Sequence, residues 1–322
     1  MSVDLSFWFF IVFLVALGLF WIYSIVRRRT IAARQPSDMA DWAETLHDAG
    51  RPDEAIDLIG RELDRSRGNI ISSADRLRHI SLLRLMAHQL HLMGRLAEAV
   101  PYAAEAADSA DKLAERHPRH AISPSLTLGL LLSGLGDDRG AVYRFRQARR
   151  HIVVSFAMYP LDSSLDVERV HVHANLAMAL RRAGVGDEAL ALARETVELA
   201  RRVAYAKFPP YVEGSAGWAH GALALTLTDA GQDGREAAAD ALAVWQGLTD
   251  RGVYEPVNEG LAASLFFMGY ALRPFDPGPA AGFARRAVDM LGRIEAQHPG
   301  RCARRLAEAE TLAADLAGAD QP

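Results

Sequence analysis

Cysteine and lysine are nearly missing from this chain. Cys302 is the single cysteine, which excludes an intrachain disulfide and any zinc or iron–sulfur site built from several cysteines. Lys112 and Lys207 are the only lysines, so arginine carries almost all of the basic charge. The 36 basic and 40 acidic residues give a net charge of −4, which does not indicate nucleic-acid binding driven by bulk charge.

Motifs of catalysis are also missing. The sequence contains no GxxxxGK[ST] phosphate loop, no HExxH zinc motif and no GxSxG nucleophile turn. Glycines in the stretch 134–140 have the wrong spacing for a dinucleotide loop, and no strand precedes them. His88 and His91 could share a helical face as a metal pair, but their own helix offers no obvious third ligand. We therefore expect a non-enzymatic protein without a metal or cofactor.

One long apolar run is present near the start of the chain. Residues 7–26 carry no charged side chain and would span about 30 Å as a helix, the thickness of a bilayer core. A cleaved signal peptide is the alternative, but the run is too long, and neither a basic leader nor a cleavage site accompanies it. We interpret the run as a transmembrane helix.

The charges around this run predict its orientation. Residues 1–6 contain no basic side chain, whereas Arg27, Arg28 and Arg29 follow the run and would lie at the membrane interface. Basic residues stay cytoplasmic, so the N-terminus should be outside and the C-terminal domain inside. The arginine-rich, lysine-poor composition is typical of a high-GC bacterial source, and we expect a single-pass protein of the inner membrane.

Beyond the membrane run, the sequence repeats itself at intervals of 42 to 48 residues. Each unit has a leucine four residues before its register point, a small residue seven before it, and an alanine five or six after it. The leucine and the small residue share one helical face, and a glycine at the register point can end that helix in a left-handed conformation. Each unit thus predicts two helices joined by a tight turn. The register points are Gly50, Gly94, Gly136, Gly184, Gly231 and Asp276.

This pattern resembles the tetratricopeptide-repeat (TPR) family. The stretches 115–125 and 174–194 are similar to the longer repeats of kinesin light chain and of bacterial regulatory TPR proteins. The resemblance implies an all-α, right-handed superhelical solenoid of about six helical hairpins. The expected organisation is a leader (1–6), a transmembrane helix (7–26), a basic linker (27–36), the solenoid (37–299) and a capping helix (300–319).

The resemblance also implies that the first helix of each unit lines a concave groove. Positions beside the packing residues of these helices are rich in basic and aromatic side chains, which suits an extended peptide with acidic and apolar residues. For any one of these arginines, solvation or pairing with a neighbouring Glu or Asp is an equally good interpretation. We predict a membrane-anchored adaptor or scaffold that binds a protein or peptide and no nucleic acid. Two alternatives are a regulatory sensor that compacts on binding a ligand, and assembly through the ends of the solenoid. The predicted groove residues are Arg84, His88, His91, Met178, Arg181, Arg182, Trp218, Phe266, Tyr270 and Arg273.

Overall fold

The computed structural model describes residues 36–203 and 205–319, and all regular structure in these ranges is helical. Two short 3₁₀ turns, Tyr205–Lys207 and Pro210–Glu213, lie between the eighth and ninth of thirteen α-helices in this part of the chain. The helices are α1 (Pro36–Asp48), α2 (Pro52–Arg67), α3 (Ser73–Leu92), α4 (Leu96–Asp111), α5 (Pro118–Gly134), α6 (Asp138–Met158), α7 (Ser164–Arg182), α8 (Gly186–Arg202), α9 (Gly214–Asp229), α10 (Arg235–Asp250), α11 (Glu259–Leu272), α12 (Pro277–Gln297) and α13 (Ala303–Ala319). We call the successive pairs from α1–α2 to α11–α12 repeats 1 to 6.

The predicted transmembrane helix at 7–26 and its flanking arginines lie outside the described residues. Over the described ranges, no helix combines the length and the apolar character needed to cross a bilayer.

The chain divides into two units, residues 1–59 and residues 60–322. In the first unit, a tight turn at Gly50 follows α1, and its φ is 71°. The Gly50 N–H donates to the carbonyl of His47 at 2.9 Å, and the Arg51 N–H donates to the carbonyl of Leu46 at 2.8 Å.

The same turn recurs at each register glycine of the second unit. Gly94, Gly136, Gly184 and Gly231 have φ between 69° and 89°, a region that glycine enters without steric cost. At Gly94, its N–H donates to the carbonyl of His91 and the next N–H donates to the carbonyl of Leu90, both at 2.9 Å. These two bonds satisfy carbonyls that the end of a helix would otherwise leave unpaired. The turns therefore lie where the sequence register predicts them.

The sixth turn is built differently, because Asp276 stands where the other units have glycine. Its N–H donates to the carbonyl of Leu272 at 2.9 Å, and no left-handed residue is needed. Pro277 then opens α12, a position where its missing N–H and fixed φ are favourable.

Small residues let the two helices of a repeat approach closely. Gly129 of α5 faces the ring of Phe145 on α6, and a Cβ at this position would overlap that ring. Ala87, Ala177 and Ala224 occupy the same register position and are fully buried. Each small residue therefore marks the seam between a first helix and its second helix.

The first helices form the inner layer of this unit. Contacts join α3 to α5, α5 to α7, α7 to α9, and α9 to α11, whereas no comparable packing joins successive second helices of the unit. Helices that contact both their own partner and the next first helix are covered on most sides, as the apolar runs of α9 and α11 show. The architecture confirms the predicted all-helical solenoid, with the first helices lining what we call the groove.

Candidate functional site

The C-terminal part of the chain lies across the groove. We call residues 299–308 the clasp. They run along the edge formed by the interhelical turns of repeats 2, 3 and 4. Gly94 and Gly300 meet there backbone to backbone, and a Cβ on either glycine would overlap the main chain of the other segment. The clasp thus joins the last repeat to turns that precede it by more than 100 residues.

Arg304 makes the most extensive contact of the clasp. Its two terminal nitrogens donate to the two oxygens of the Asp138 carboxylate at 2.8 and 2.7 Å. One of them also donates to the main-chain carbonyl of Ser133 at 2.5 Å. This two-pronged geometry is the one in which a guanidinium binds a carboxylate best.

Glu308, one helical turn further, binds repeat 4. It accepts a hydrogen bond from Arg182 at 3.0 Å, and the same guanidinium donates to the hydroxyl of Ser133 at 3.2 Å. Burial lowers the pKa of Arg182, an effect that outweighs the opposing influence of Glu308. The predicted groove residue Arg182 thus has an anionic partner within the chain itself.

Glu259 binds two further arginines of the clasp. Arg301 and Arg305 donate to its two oxygens at 2.5 and 2.6 Å. Burial disfavours ionisation of this carboxyl, but Arg305, Arg301 and His91 outweigh burial and hold the pKa of Glu259 below its usual range. The guanidinium of Arg305 also lies 4.9 Å from the ring centre of Trp218.

Several predicted groove residues lie beneath the clasp. His91, Met178 and Arg182 line a cavity of about 60 Å³ together with residues 300–305. Met178, Trp218 and Phe266 line a smaller cavity of about 20 Å³ against Arg305 and Glu308. Burial is the main cause that lowers the pKa of His91. The structure thus brings these residues together, in a part of the groove that the clasp covers.

A second group of predicted residues lies beside the clasp. Arg181 pairs with Asp229 at 2.5 Å, and the Tyr270 hydroxyl donates to the same carboxylate at 2.5 Å. The guanidiniums of Arg181 and Arg273 lie 5.1 and 4.7 Å from the ring centre of Tyr270. Arg181, Tyr270 and Phe266 line an open cavity of about 370 Å³ together with Arg304 and Glu308.

Arg84 lies apart from both groups, in a cavity of about 200 Å³ between repeats 2, 3 and 4. It has no hydrogen-bond or ion-pair partner among the residues that the structure describes. Glu168 faces the same cavity, and its Oε2 is buried without a hydrogen-bond partner. Burial lowers the pKa of Arg84 and raises the pKa of Glu168, because each charge is withdrawn from water. The other lining residues are Leu77, Ile80, Ser81, Arg119, His120, Ser123 and Pro124.

His88 does not join these groups. Its side chain is exposed on α3 and lines none of the four cavities described above. Within the described ranges, no cluster of three or more His, Cys, Asp or Glu side chains could hold a metal ion.

Sequence reasoning missed the acidic half of the site. It did not single out Asp138, Glu168 and Glu259, because acidic residues are frequent on any solvated helix. It also treated the region after 299 only as a cap. A signal was present there, since Arg301, Arg304 and Arg305 interrupt an otherwise alanine- and leucine-rich segment.

No protein-family model and no curated protein matches this sequence. Among solved structures, BtubC (BKLC) from P. vanneervenii is 16% identical with a TM-score of 0.50, over 76% of this chain and 90% of that one. A kinesin-light-chain structure of nearly identical TPR-like repeats from Podosopora anserina is 19% identical (TM-score 0.49, 68% and 99% coverage). A Rap protein complexed with Competence and Sporulation Factor is 12% identical (TM-score 0.48, 87% and 76% coverage). The structural neighbours are TPR-like repeat proteins, which confirms the predicted repeat class.

Proposed function

We propose that this protein is a non-catalytic adaptor that binds a protein or peptide partner in its groove. The TPR-type solenoid supports this function because its first helices present a continuous inner surface to an extended or helical segment. The observation that carries the proposal is narrower: Arg84 and Glu168 face one cavity, where Arg84 has no ion-pair partner among the described residues and Oε2 of Glu168 accepts no hydrogen bond.

Unpaired charges of this kind are costly in a folded protein. A buried donor or acceptor without a partner costs about 1 to 3 kcal/mol, and more when it is charged. A peptide that placed a carboxylate or carbonyl oxygen on Arg84 and a donor on Glu168 would remove both costs at once. Leu77, Ile80 and Pro124 provide apolar walls for the same segment. The cavity therefore suits a peptide with oppositely charged or polar groups close together.

Membrane anchoring is part of the proposal. The uncharged run at 7–26 and the arginines after it support a single-pass helix with its C-terminal domain in the cytoplasm. An anchor would raise the effective concentration of a partner on the same membrane, so that a weak groove affinity suffices. We further propose that the superhelix is right-handed, as in the TPR family.

Partner capture with a matched control tests the groove. The full chain is immobilised and retained proteins of the source cell are compared with those of Arg84→Met/Glu168→Gln. The control is Arg146→Met/Glu188→Gln, which removes the same two charges from an exposed ion pair between second helices. We expect a partner that is lost from the cavity variant and kept by the control. Equal retention by all three chains would contradict a role for this cavity.

Membrane attachment has its own test. After alkaline carbonate extraction, the full chain should stay in the membrane pellet, and a chain lacking residues 1–26 should appear in the supernatant. Release of the full chain by carbonate would contradict an integral anchor.

A further inference from the structure

The helix α13 has two parts with different chemistry. Its later turns bury Ala309, Leu312 and Leu316 in an apolar cluster with α11 and α12, with at most 3% of each residue exposed. Its first turns carry Arg304 and Glu308 to repeats 3 and 4. The apolar part therefore fixes α13 to the last repeat, while the polar part reaches across the groove.

The contacts of the clasp with repeats 2 to 4 include two ion pairs and one main-chain contact. Arg304 holds Asp138, Glu308 holds Arg182, and Gly300 meets Gly94. The two ion pairs border an open cavity of about 370 Å³, so water can replace them as they separate. The four side chains of these pairs are only 14 to 28% exposed, so separating them is costly unless a partner supplies equivalent charges.

Each buried leucine of α13 contributes about 1.5 to 3 kcal/mol to its attachment. Cys302 is buried in the same apolar cluster as the later turns of α13, and Arg301 and Arg305 bind Glu259 of α11. The clasp therefore stays on repeat 6 with α13, and repeats 2 to 4 can separate from it.

The receiving surface is specific in its charge order. Asp138 at the start of α6 accepts the arginine, and Arg182 at the end of α7 donates to the glutamate. Arg304 and Glu308 are four residues apart, so they lie on one face of a helix, one turn from each other. The surface therefore matches a helix that presents Arg at position i and Glu at position i+4.

We propose that the clasp occupies the groove as a substitute for the partner. The partner is then a helix with Arg at i and Glu at i+4, and it binds Asp138 and Arg182 in place of Arg304 and Glu308. This inference rests on the proposed function and makes its partner more specific. It replaces the expectation of an acidic peptide in this part of the groove, because Asp138 takes a basic side chain.

Displacement would also uncover residues that the clasp covers. His91 and Met178 line the cavity beneath residues 300–305, so separation of repeats 2 to 4 from the clasp would expose them further. Binding of the partner is thus coupled to opening of the clasp. The apparent affinity equals the intrinsic affinity multiplied by the fraction of molecules whose clasp is open.

A peptide titration with exchanged charges tests the inference. The probe is a fluorescent synthetic peptide of residues 299–319, measured by anisotropy with three forms of the full chain. In Arg304→Glu/Glu308→Arg, Asp138 and Arg182 repel the chain's own clasp. We expect this variant to bind the peptide at least tenfold more tightly than the unchanged chain. Asp138→Arg/Arg182→Glu should lose this peptide and prefer one in which the Arg and Glu are exchanged. Equal binding of both peptides by all three chains, or no binding by any, would overturn the inference.

A second measurement does not depend on charge reversal being tolerated. Arg139 and Glu310 are exposed, on repeat 3 and on α13. Spin labels at Arg139→Cys and Glu310→Cys, in a Cys302→Ser background, report the distance between them. Saturating peptide should add a longer distance to the distribution. An unchanged distribution with peptide bound would show that the clasp is a fixed structural contact.

The two proposals can fail separately. If the distances do not change but capture still depends on Arg84 and Glu168, the adaptor function stands and the clasp inference falls. If the clasp opens but no partner depends on that cavity, the proposed binding site is wrong.

Discussion

Arg181 and Asp229 form an ion pair at 2.5 Å that ties the first helix of repeat 4 to the first helix of repeat 5. Tyr270 of repeat 6 donates to the same carboxylate, so one acidic side chain joins three successive repeats. An arginine that the sequence marks as ligand-binding is thus already paired within the protein. Several charged side chains of the groove thus form ion pairs with each other, so only some positions of the groove remain to bind a partner.

A double-mutant cycle on Arg181→Met and Asp229→Asn measures this pair. We expect a coupling energy of about 1 kcal/mol in urea unfolding, because the arginine is mostly buried while the carboxylate is partly exposed. The same cycle on the exposed pair Arg201 and Glu198 should give only about 0.3 kcal/mol. Equal coupling in the two cycles would contradict the structural role given to Asp229.

Glu168→Gln should stabilise the protein at neutral pH by about 1 kcal/mol, because it removes a partly buried charge whose Oε2 has no hydrogen-bond partner and whose burial outweighs the attraction of Arg119. The pKa of Glu168 is raised by burial, so the folded state keeps a proton that the unfolded state releases. Stability is therefore lost as pH rises from the ordinary glutamate pKa to the raised one. Thermal unfolding of both chains should differ at pH 7 and converge at pH 3. A variant that is less stable at pH 7 would indicate a hidden partner for the carboxylate.

His173 should make the fold sensitive to mild acid. Burial, with the nearby charge of Arg149, lowers its pKa to about 4, so the unfolded state binds a proton that the folded state refuses. The stability this gives is complete above about pH 6.5 and is lost as pH falls toward 4, by up to about 3 kcal/mol. His173→Leu should flatten the fall in unfolding free energy between these pH values. An unchanged slope would assign the acid sensitivity to other groups.

Replacing the glycines around Trp245 by alanine should lower the free energy of unfolding. Cβ atoms at Gly217 and Gly260 would overlap its indole ring, so Gly217→Ala and Gly260→Ala should each destabilise by about 1 to 3 kcal/mol. Gly247 lies in α10 with open space around it, and Gly247→Ala should stabilise by about 0.5 to 1 kcal/mol. Urea unfolding of the three variants checks this order, and destabilisation by Gly247→Ala would contradict it.

The repeat class could be predicted from sequence because its determinants are local. A glycine turn needs one residue with positive φ, and Gly129 meets Phe145 within the same repeat. Both features therefore recur at a fixed spacing that the sequence shows directly.

The charge pairing of the groove could not be predicted in this way. Arg181 meets Asp229 across 48 residues, and Arg304 meets Asp138 across 166. Which arginine pairs with which carboxylate depends on the rotation between successive repeats. The spacing of the repeat residues in the sequence does not specify that rotation. The sequence alone therefore does not decide between an outside ligand and an internal partner for each arginine, and the structure shows internal partners for Arg181, Arg182 and Arg304.

Site-specific photo-crosslinking tests the adaptor account most directly. A benzophenone amino acid replaces Ser123, which lines the Arg84–Glu168 cavity, or Val153, which is 64% exposed on the second helix α6. Each full-length chain is expressed in the source cell and irradiated, and adducts are identified by mass spectrometry. A partner bound in this cavity should give a protein adduct from position 123 that Arg84→Met/Glu168→Gln abolishes, and no such adduct from position 153. An adduct from position 153 alone would contradict binding in the groove.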